Sequence, residues 1–498
     1  MHLEIRRLQH FPPDNCLGGH EFQANNLLNY VNGDHQGDNS RLENKSHSDG
    51  HNKVTESSRP ALLRRLGLLE GTTIVAGTMI GSGIFAVAGQ IAAGLGNFVL
   101  IIAAWFLGGL LSLLGGCVYA ELGAMLPRTG GPYVFLREAY GNRAAFLWSW
   151  MEFWVGRTGG MAAVAIIFAH YALLAVGENN PSLLSTKSIG IGSILILAVL
   201  NIRGVRQGGN VQNIFTFLKT GALVALIGAA FGISRGHISN FRTVVPAGIE
   251  GPMLTAFGLA VIATLWAYSG WENVTTVAEE LRVPERTIPR ALFIGIGIVT
   301  ILYVTTNVAY HFVLPMNGVA AAGEDIAAVV GEQLFGKAGR TVIALTVACS
   351  TFGVVNASML SAPRIYFAAA RDTLALKPMG RIHAKYCTPA LAISAQAIWA
   401  SFLVLVAGFT DLVIYVMVMA TAFSGLTVAS VLVLRRKMPD RPRPYRTLGY
   451  PIVPILYLVI VTALLISVLI ERPLHSLLGL GIVALGVPAY FWLNRRSE

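Results

Sequence analysis

From Leu68 onward the chain is a succession of apolar blocks. Each is long enough, at 1.5 Å per helical residue, to cross about 30 Å of hydrocarbon. Twelve blocks can be counted, centred near Ile80, Leu110, Ala162, Leu195, Ala222, Thr264, Ile301, Phe352, Ala397, Met419, Ile460 and Ile482. Backbone in lipid finds no water to satisfy its N–H and C=O groups, so the blocks are predicted to be helices. A β-barrel would need short segments of alternating polarity instead. Only 13% of the 498 residues are charged and 54% are hydrophobic, against about 25% charged in soluble chains. So few charges cannot cover a water-facing surface. The fold class is therefore all-α integral membrane, and fibrous, disordered and disulfide-stapled secreted classes are excluded.

Residues 1–60 read differently. They are rich in Asn, His, Asp, Gly and Ser and lack apolar periodicity, which predicts a disordered tail. No continuous apolar core follows Arg6 and Arg7, so the tail is not a signal peptide. Six histidines fall here (His2, His10, His20, His35, His47, His51) without a recurring ligand spacing, and neither a metal nor another cofactor is expected. Residues 61–498 form one transmembrane domain, with helices 1–5 at about 68–234, helices 6–10 at about 252–435 and helices 11–12 at about 450–493.

The net charge of +11 raises nucleic acid or an anionic membrane as a partner until its position is read. Six cations occupy loops of one side (Lys187, Arg235, Arg242, Lys337, Arg340, Arg472), and two, Arg157 and Lys219, fall within apolar blocks. The rest lie in the tail, in the alternate loops and at the C-terminus, most densely at Arg435, Arg436, Lys437, Arg441, Arg443 and Arg446. Positive charge collects on the cytoplasmic side, so both termini are expected there, and no nucleic-acid partner is needed. The four cysteines (Cys16, Cys117, Cys349, Cys387) form neither a C-x-x-C pair nor a disulfide framework.

Two blocks are interrupted. The first contains Gly77-Thr78-Met79-Ile80-Gly81-Ser82-Gly83-Ile84-Phe85. Its glycines and hydroxyls are costly in a helix interior. Gly77 and Gly81 form a G-x-x-x-G that close helix packing would explain, but Ser82 and Gly83 fit a break that exposes backbone N–H groups. The sixth block carries a second weak point in Trp266-Ala267-Tyr268-Ser269-Gly270-Trp271-Glu272. The interruptions lie five helices apart, and an odd number of helices per repeat inverts the second repeat. Paired broken helices at midplane mark the site of an inverted-repeat transporter. Amides around Gly81, Ser82 and Gly83 suit a carboxylate, and carbonyls near Ile80 and Trp266 to Ser269 suit an ammonium. An amino acid has both ends.

Lys219 sits in the fifth block, about nine residues, or roughly 13 Å, past Asn210. An ammonium in hydrocarbon costs about 3 kcal/mol or more, so it must face protein acceptors unless it snorkels to the interface. Glu152 and Arg157 stand five apart, off the three-or-four spacing that pairs side chains on an α-helix, and a structural role is the simpler reading. Glu121 reads as interfacial. Ser350 and Ser358 are candidates to meet Lys219, although serine is common in packed membrane helices.

Ile80-Gly81-Ser82-Gly83-Ile84-Phe85 resembles the helix-one signature of the amino acid–polyamine–organocation superfamily. Tyr119-Ala120-Glu121-Leu122-Gly123, Pro127-Arg128-Thr129-Gly130-Gly131-Pro132-Tyr133, Pro284-Glu285-Arg286-Thr287-Ile288-Pro289-Arg290 and Arg443-Pro444-Tyr445-Arg446 extend the match from about Leu68 to the end. Within the superfamily the chain looks most like the L-type transporters and their bacterial relatives, the serine/threonine exchangers among them. The resemblance implies twelve transmembrane helices, a LeuT-like 5+5 inverted repeat with helices 1 and 6 broken, and alternating access in a cell membrane. It implies substrate contacts from Ile80, Gly81, Ser82, Gly83 and Ile84, with Trp266, Ala267 and Ser269 opposite.

The helix-five lysine of the L-type family matches Lys219 and stands where sodium sits in sodium-coupled relatives, which implies sodium independence. Lys219 is then a coupling residue tying helix five to the broken first helix, with Ser358 as a partner. Trp266 matches the family's aromatic gate, although an ordinary core aromatic is the commoner use of tryptophan. Glu272 departs from the amide of L-type members and matches the carboxylate of arginine/agmatine antiporters, leaving a proton-coupling role and a structural hydrogen bond both open. Eukaryotic L-type members pair with a heavy chain through a cysteine between helices three and four. Here that loop, Gly177-Glu178-Asn179-Asn180-Pro181-Ser182, has none, so no disulfide-linked partner is expected.

The resulting expectation is a sodium-independent amino acid exchanger or proton symporter. The rival is an amino-acid sensor using the same site without sustained transport. No Walker loop or nucleophile–base constellation points to an ATP-driven pump or an enzyme.

Overall fold

The computed structural model describes residues 64, 66–203, 208–233, 236–241, 253–372, 378–383, 385–386 and 388–495. The predicted tail, Arg206, Arg235, Arg242, Lys377, Cys16 and Cys387 lie outside the described residues. Helices dominate, and among the described residues the only β pairing is an isolated bridge between Leu66 and Leu281.

The helices are α1 Leu68–Met79, α2 Gly83–Ala86, α3 Ala88–Leu95, α4 Phe98–Met125, α5 Pro132–Tyr140, α6 Asn142–Met151, α7 Arg157–Ala175, α8 Leu183–Ile202 and α9 Gly208–Gly232. They continue as α10 Met253–Tyr268, α11 Asn273–Thr276, α12 Pro284–Val313, α13 Met316–Ala322, α14 Ile326–Asp372 (kinked at Gly336), α15 Ala390–Val406, α16 Phe409–Lys437, α17 Ile452–Glu471 and α18 Pro473–Arg495. A π-helical turn, Glu152–Gly156, joins α6 to α7. Each predicted block centre lies in its own helix except Ile80, which lies in the gap between α1 and α2.

Local signals set the boundaries. Glu70 accepts the Gly67 N–H at 2.8 Å and places a carboxylate at the positive end of α1. Asn97 caps α4 by accepting the Leu100 N–H at 3.2 Å, and Ser182 caps α8 by accepting the Ser185 N–H at 3.0 Å. Pro132 and Pro284 open α5 and α12, where a missing N–H costs nothing.

Nine stretches are long and apolar enough to cross a membrane among the described residues, and Thr216–Gly232, Met253–Tyr268 and Ala390–Val406 are shorter apolar helices. Ile196 and Val199 on α8 and Ile452 and Val459 on α17 are exposed. Such faces need lipid, since water would oppose them. Inside, small residues let backbones approach: Gly108 faces Thr264, Gly109 faces Thr300, and Gly116 faces Ile296. In this way α4 lies along α12 and near α10, while α7 lies along α14.

Candidate functional site

Both interruptions predicted from sequence are present. α1 stops at Met79, Ile80 to Ser82 leave the helix, and α2 begins at Gly83. A tight turn closes the end of α1, with the Gly81 N–H on Met79 O at 2.8 Å. The N–H groups of Ser82, Gly83 and Ile84 donate to no acceptor among the described residues, as expected where a helix begins anew. α10 stops at Tyr268, and Ser269 to Glu272 form a turn before α11. Gly270 sits at φ 108°, in the region open to glycine alone at little cost.

The two breaks meet. A Cβ added to Gly83 would fall 2.4 Å from Ala267 Cα, and one added to Gly270 would fall 3.1 Å from the Thr78 carbonyl. Two hydroxyls join the breaks further. Thr78 Oγ1 lies 2.8 Å from Gly270 O. Tyr303 Oη, on α12, lies 2.8 Å from Met79 O and 3.1 Å from Ala267 O. The sequence marks Thr78 only as one of the costly hydroxyls of the first block and does not mark Tyr303, because a tyrosine in an apolar helix carries no sign of a broken neighbour.

A cavity of about 200 Å³ opens beside this junction. Gly81, Ser82 and Gly83 line it from the first break, and Trp266 and Ser269 from the second. Ile80, Ile84 and Ala267, expected from sequence to contact the substrate, are buried and are not among its lining residues. Trp266 packs edge-on against Phe409, with centroids 6.2 Å apart. Its carbonyl already accepts the Ser269 N–H at 3.2 Å and the Ser269 hydroxyl at 2.8 Å. The carbonyls of Ile80, Tyr268 and Ser269 accept nothing among the described residues.

Lys219 is 2% exposed, and its Nζ donates to Gly77 O at 2.5 Å, so α9 is tied to the last turn of α1. Neither proposed serine hydrogen-bonds to it. Ser350 Oγ is buried without a partner among the described residues, whereas Ser358 lines the cavity and its carbonyl accepts from Gln396 at 3.4 Å. Glu272 lines the cavity too, and its Oε2 accepts the Gly270 N–H at 3.0 Å, bracing the turn it ends.

Glu152 and Arg157 do pair, contrary to the α-helical spacing argument. The π-turn between them brings positions five apart onto one face, and Arg157 Nε donates to Glu152 Oε2 at 2.9 Å. Arg157 Nη2 also donates to Asn273 Oδ1, the first residue of α11, at 3.0 Å. Glu121, read as interfacial, is 99% buried at its side chain, holding Arg435 Nη2 at 2.7 Å and accepting the Thr447 N–H at 2.7 Å.

These features define a multi-pass membrane protein whose two interrupted helices enclose a chamber of small-molecule size. The chain belongs to the amino acid permease family, whose model matches residues 66–483. It is 34% identical over 438 residues to the serine/threonine exchanger SteT of Bacillus subtilis, covering 88% of this chain and 98% of that one. It is 33% identical over 436 residues to the large neutral amino acids transporter small subunit 2 of Mus musculus, covering 86% and 81%. The b(0,+)-type amino acid transporter 1 of the same species is 32% identical over 424 residues, covering 84% and 85%. The family and these relatives are transporters, not enzymes.

Proposed function

We propose that the protein is a sodium-independent secondary transporter of amino acids, working by alternating access as an exchanger or a proton symporter. The observation that carries this is the backbone contact between Gly83 and Ala267 beside a cavity lined by both breaks. The substrate carboxylate takes the free amides of Ser82, Gly83 and Ile84 at the start of α2. Its ammonium takes the free carbonyls of Ile80, Tyr268 and Ser269. Trp266 covers the bound molecule as a gate.

Sodium independence rests on Lys219. Its ammonium occupies Gly77 O, so a fixed cation stands where a mobile one would otherwise be drawn to free carbonyls. The relatives supply the substrate class, since each is named for amino acid transport or exchange.

The transmembrane domain, residues 61–498, has twelve spans in a LeuT-like 5+5 arrangement. Nine long apolar stretches and three shorter apolar helices among the described residues support the count. The packing supports the repeat: α4 pairs with α12, α7 with α14 and α8 with α15, joining the second, third and fourth spans to the spans five further on. Inversion about a two-fold axis brings such equivalents together. The cation census supports a cytoplasmic side for both termini, in a cell's limiting membrane. The 177–182 loop has no cysteine, so the protein acts without a disulfide-linked heavy chain.

Purified protein in liposomes tests the reading by uptake of radiolabelled amino acids in sodium-free buffer. Uptake stimulated by internal amino acid supports exchange, and uptake driven by an imposed pH gradient supports symport. Strict dependence on sodium, or binding with no uptake, overturns it.

A further inference from the structure

The cavity has a polar wall that the paired breaks account for only in part. It is formed by Glu152 and Arg157 at the π-turn, with Glu272 and Asn273 at the end of the second break. The first pair is set by the π-turn, and the turn itself is pinned from three neighbouring helices. Aromatic donors reach two of its carbonyls: Glu152 O, which also accepts the Arg157 N–H, takes Tyr366 Oη at 3.3 Å, and Trp154 O takes Trp399 Nε1 at 2.9 Å and Tyr415 Oη at 3.0 Å. Such one-residue insertions recur at functional sites. Here the insertion sets the Arg157 guanidinium in the cavity wall.

Two of the five N–H groups of a guanidinium are engaged, one with Glu152 and one with Asn273. The others have no acceptor among the described residues, and Arg157 lines both this cavity and a smaller neighbouring one of about 100 Å³. On the same wall Glu272 uses one oxygen on Gly270 and Glu152 uses one on Arg157. The wall thus offers unused donors and unused acceptors together. It also holds two carboxylates against one guanidinium.

We propose that Arg157 is a specificity-determining residue, selecting amino acids whose neutral side chains both donate and accept hydrogen bonds, the hydroxyl and carboxamide classes. This rests on the transport reading above, which places the substrate backbone at the breaks. An acidic side chain meets an excess of carboxylate. An apolar one displaces water from the guanidinium and returns no hydrogen bond, and a site built for a polar group rejects its apolar isostere for that reason.

Threonine and valine are near-isosteric and differ by one hydroxyl, so their competition against radiolabelled uptake tests the proposal in proteoliposomes. In the wild type, threonine should inhibit at about tenfold lower concentration than valine, the size expected of a hydrogen bond to a charged group, and aspartate should not compete. Arg157→Met should bring the threonine and valine values together, while Arg157→Lys keeps part of the difference. A wild type that treats threonine and valine alike overturns the proposal, and needs no variant to fold. Equally, an Arg157→Met protein with slower maximal uptake but an unchanged threonine-to-valine ratio would make the residue structural only. If the wild type moves no amino acid at all, the transport reading falls and this one with it.

Discussion

Gly83 and Ala267 touch through their backbones, so closely that a Cβ on Gly83 would lie 2.4 Å from the Ala267 Cα. The neighbour is main chain and cannot rotate away. The contact joins the start of α2 to the end of α10, and the cavity lies beside it.

Gly83→Ala should therefore force the two broken helices apart. Overpacking of this kind costs about 1–3 kcal/mol, and a comparable shift at the site should abolish uptake. Gly94 is the control, because an added Cβ there meets nothing within 4 Å. Gly94→Ala should leave uptake unchanged and thermal stability equal or slightly raised. Detergent-solubilised melting curves and liposome uptake of the two variants make the comparison.

Lys219→Ala should keep the fold and lose function. The substitution removes a buried ammonium whose desolvation opposes its hydrogen bond, but it also leaves Gly77 O without that donor, so a loss of about 1–3 kcal/mol should accompany a protein that still folds. Uptake should fall to about a tenth or less, the loss of one charge-assisted hydrogen bond between α9 and α1. Wild-type uptake in Lys219→Ala proteoliposomes would remove the coupling role.

Tyr303→Phe should also lower stability. Its hydroxyl serves both Met79 O and Ala267 O in a buried site, so two carbonyls lose a donor. A loss of about 1–3 kcal/mol follows, read as a lowered melting temperature with the protein still reaching the membrane.

The breaks and Lys219 were legible because each violates what a helix in lipid favours: glycine and serine in an apolar run, and a lone cation in hydrocarbon. Tyr303 was not, since its role depends on where another helix stops, and a buried tyrosine in an apolar helix looks like packing. Glu152 and Arg157 misled for a physical reason. Helical side-chain arguments assume 3.6 residues per turn, and the inserted π-turn that pairs them is fixed by Tyr366, Trp399 and Tyr415, distant in sequence. Glu121 lies at the end of α4, where a carboxylate reads as surface until Arg435 and the Thr447 amide fold over it.

Glu121→Ala should be among the most destabilising changes in the protein. It would leave Arg435 and Arg443 without their shared carboxylate, and breaking a buried pair from one side costs about 3–5 kcal/mol. Arg435→Met should cost less, because Arg443, at 3.4 Å, and the Thr447 N–H still serve Glu121. Melting temperatures of the two variants should fall in that order.

The central claim is that the transported amino acid sits between the breaks. Ser82→Cys, in a chain with Cys16, Cys117, Cys349 and Cys387 replaced by serine, places one thiol in the cavity wall. The rate of its modification by a small water-soluble thiol reagent should fall as a transported amino acid is added, half-protected near the concentration that half-saturates uptake. A labelling rate unchanged by that amino acid, while uptake is saturated, would place the substrate elsewhere and contradict the account.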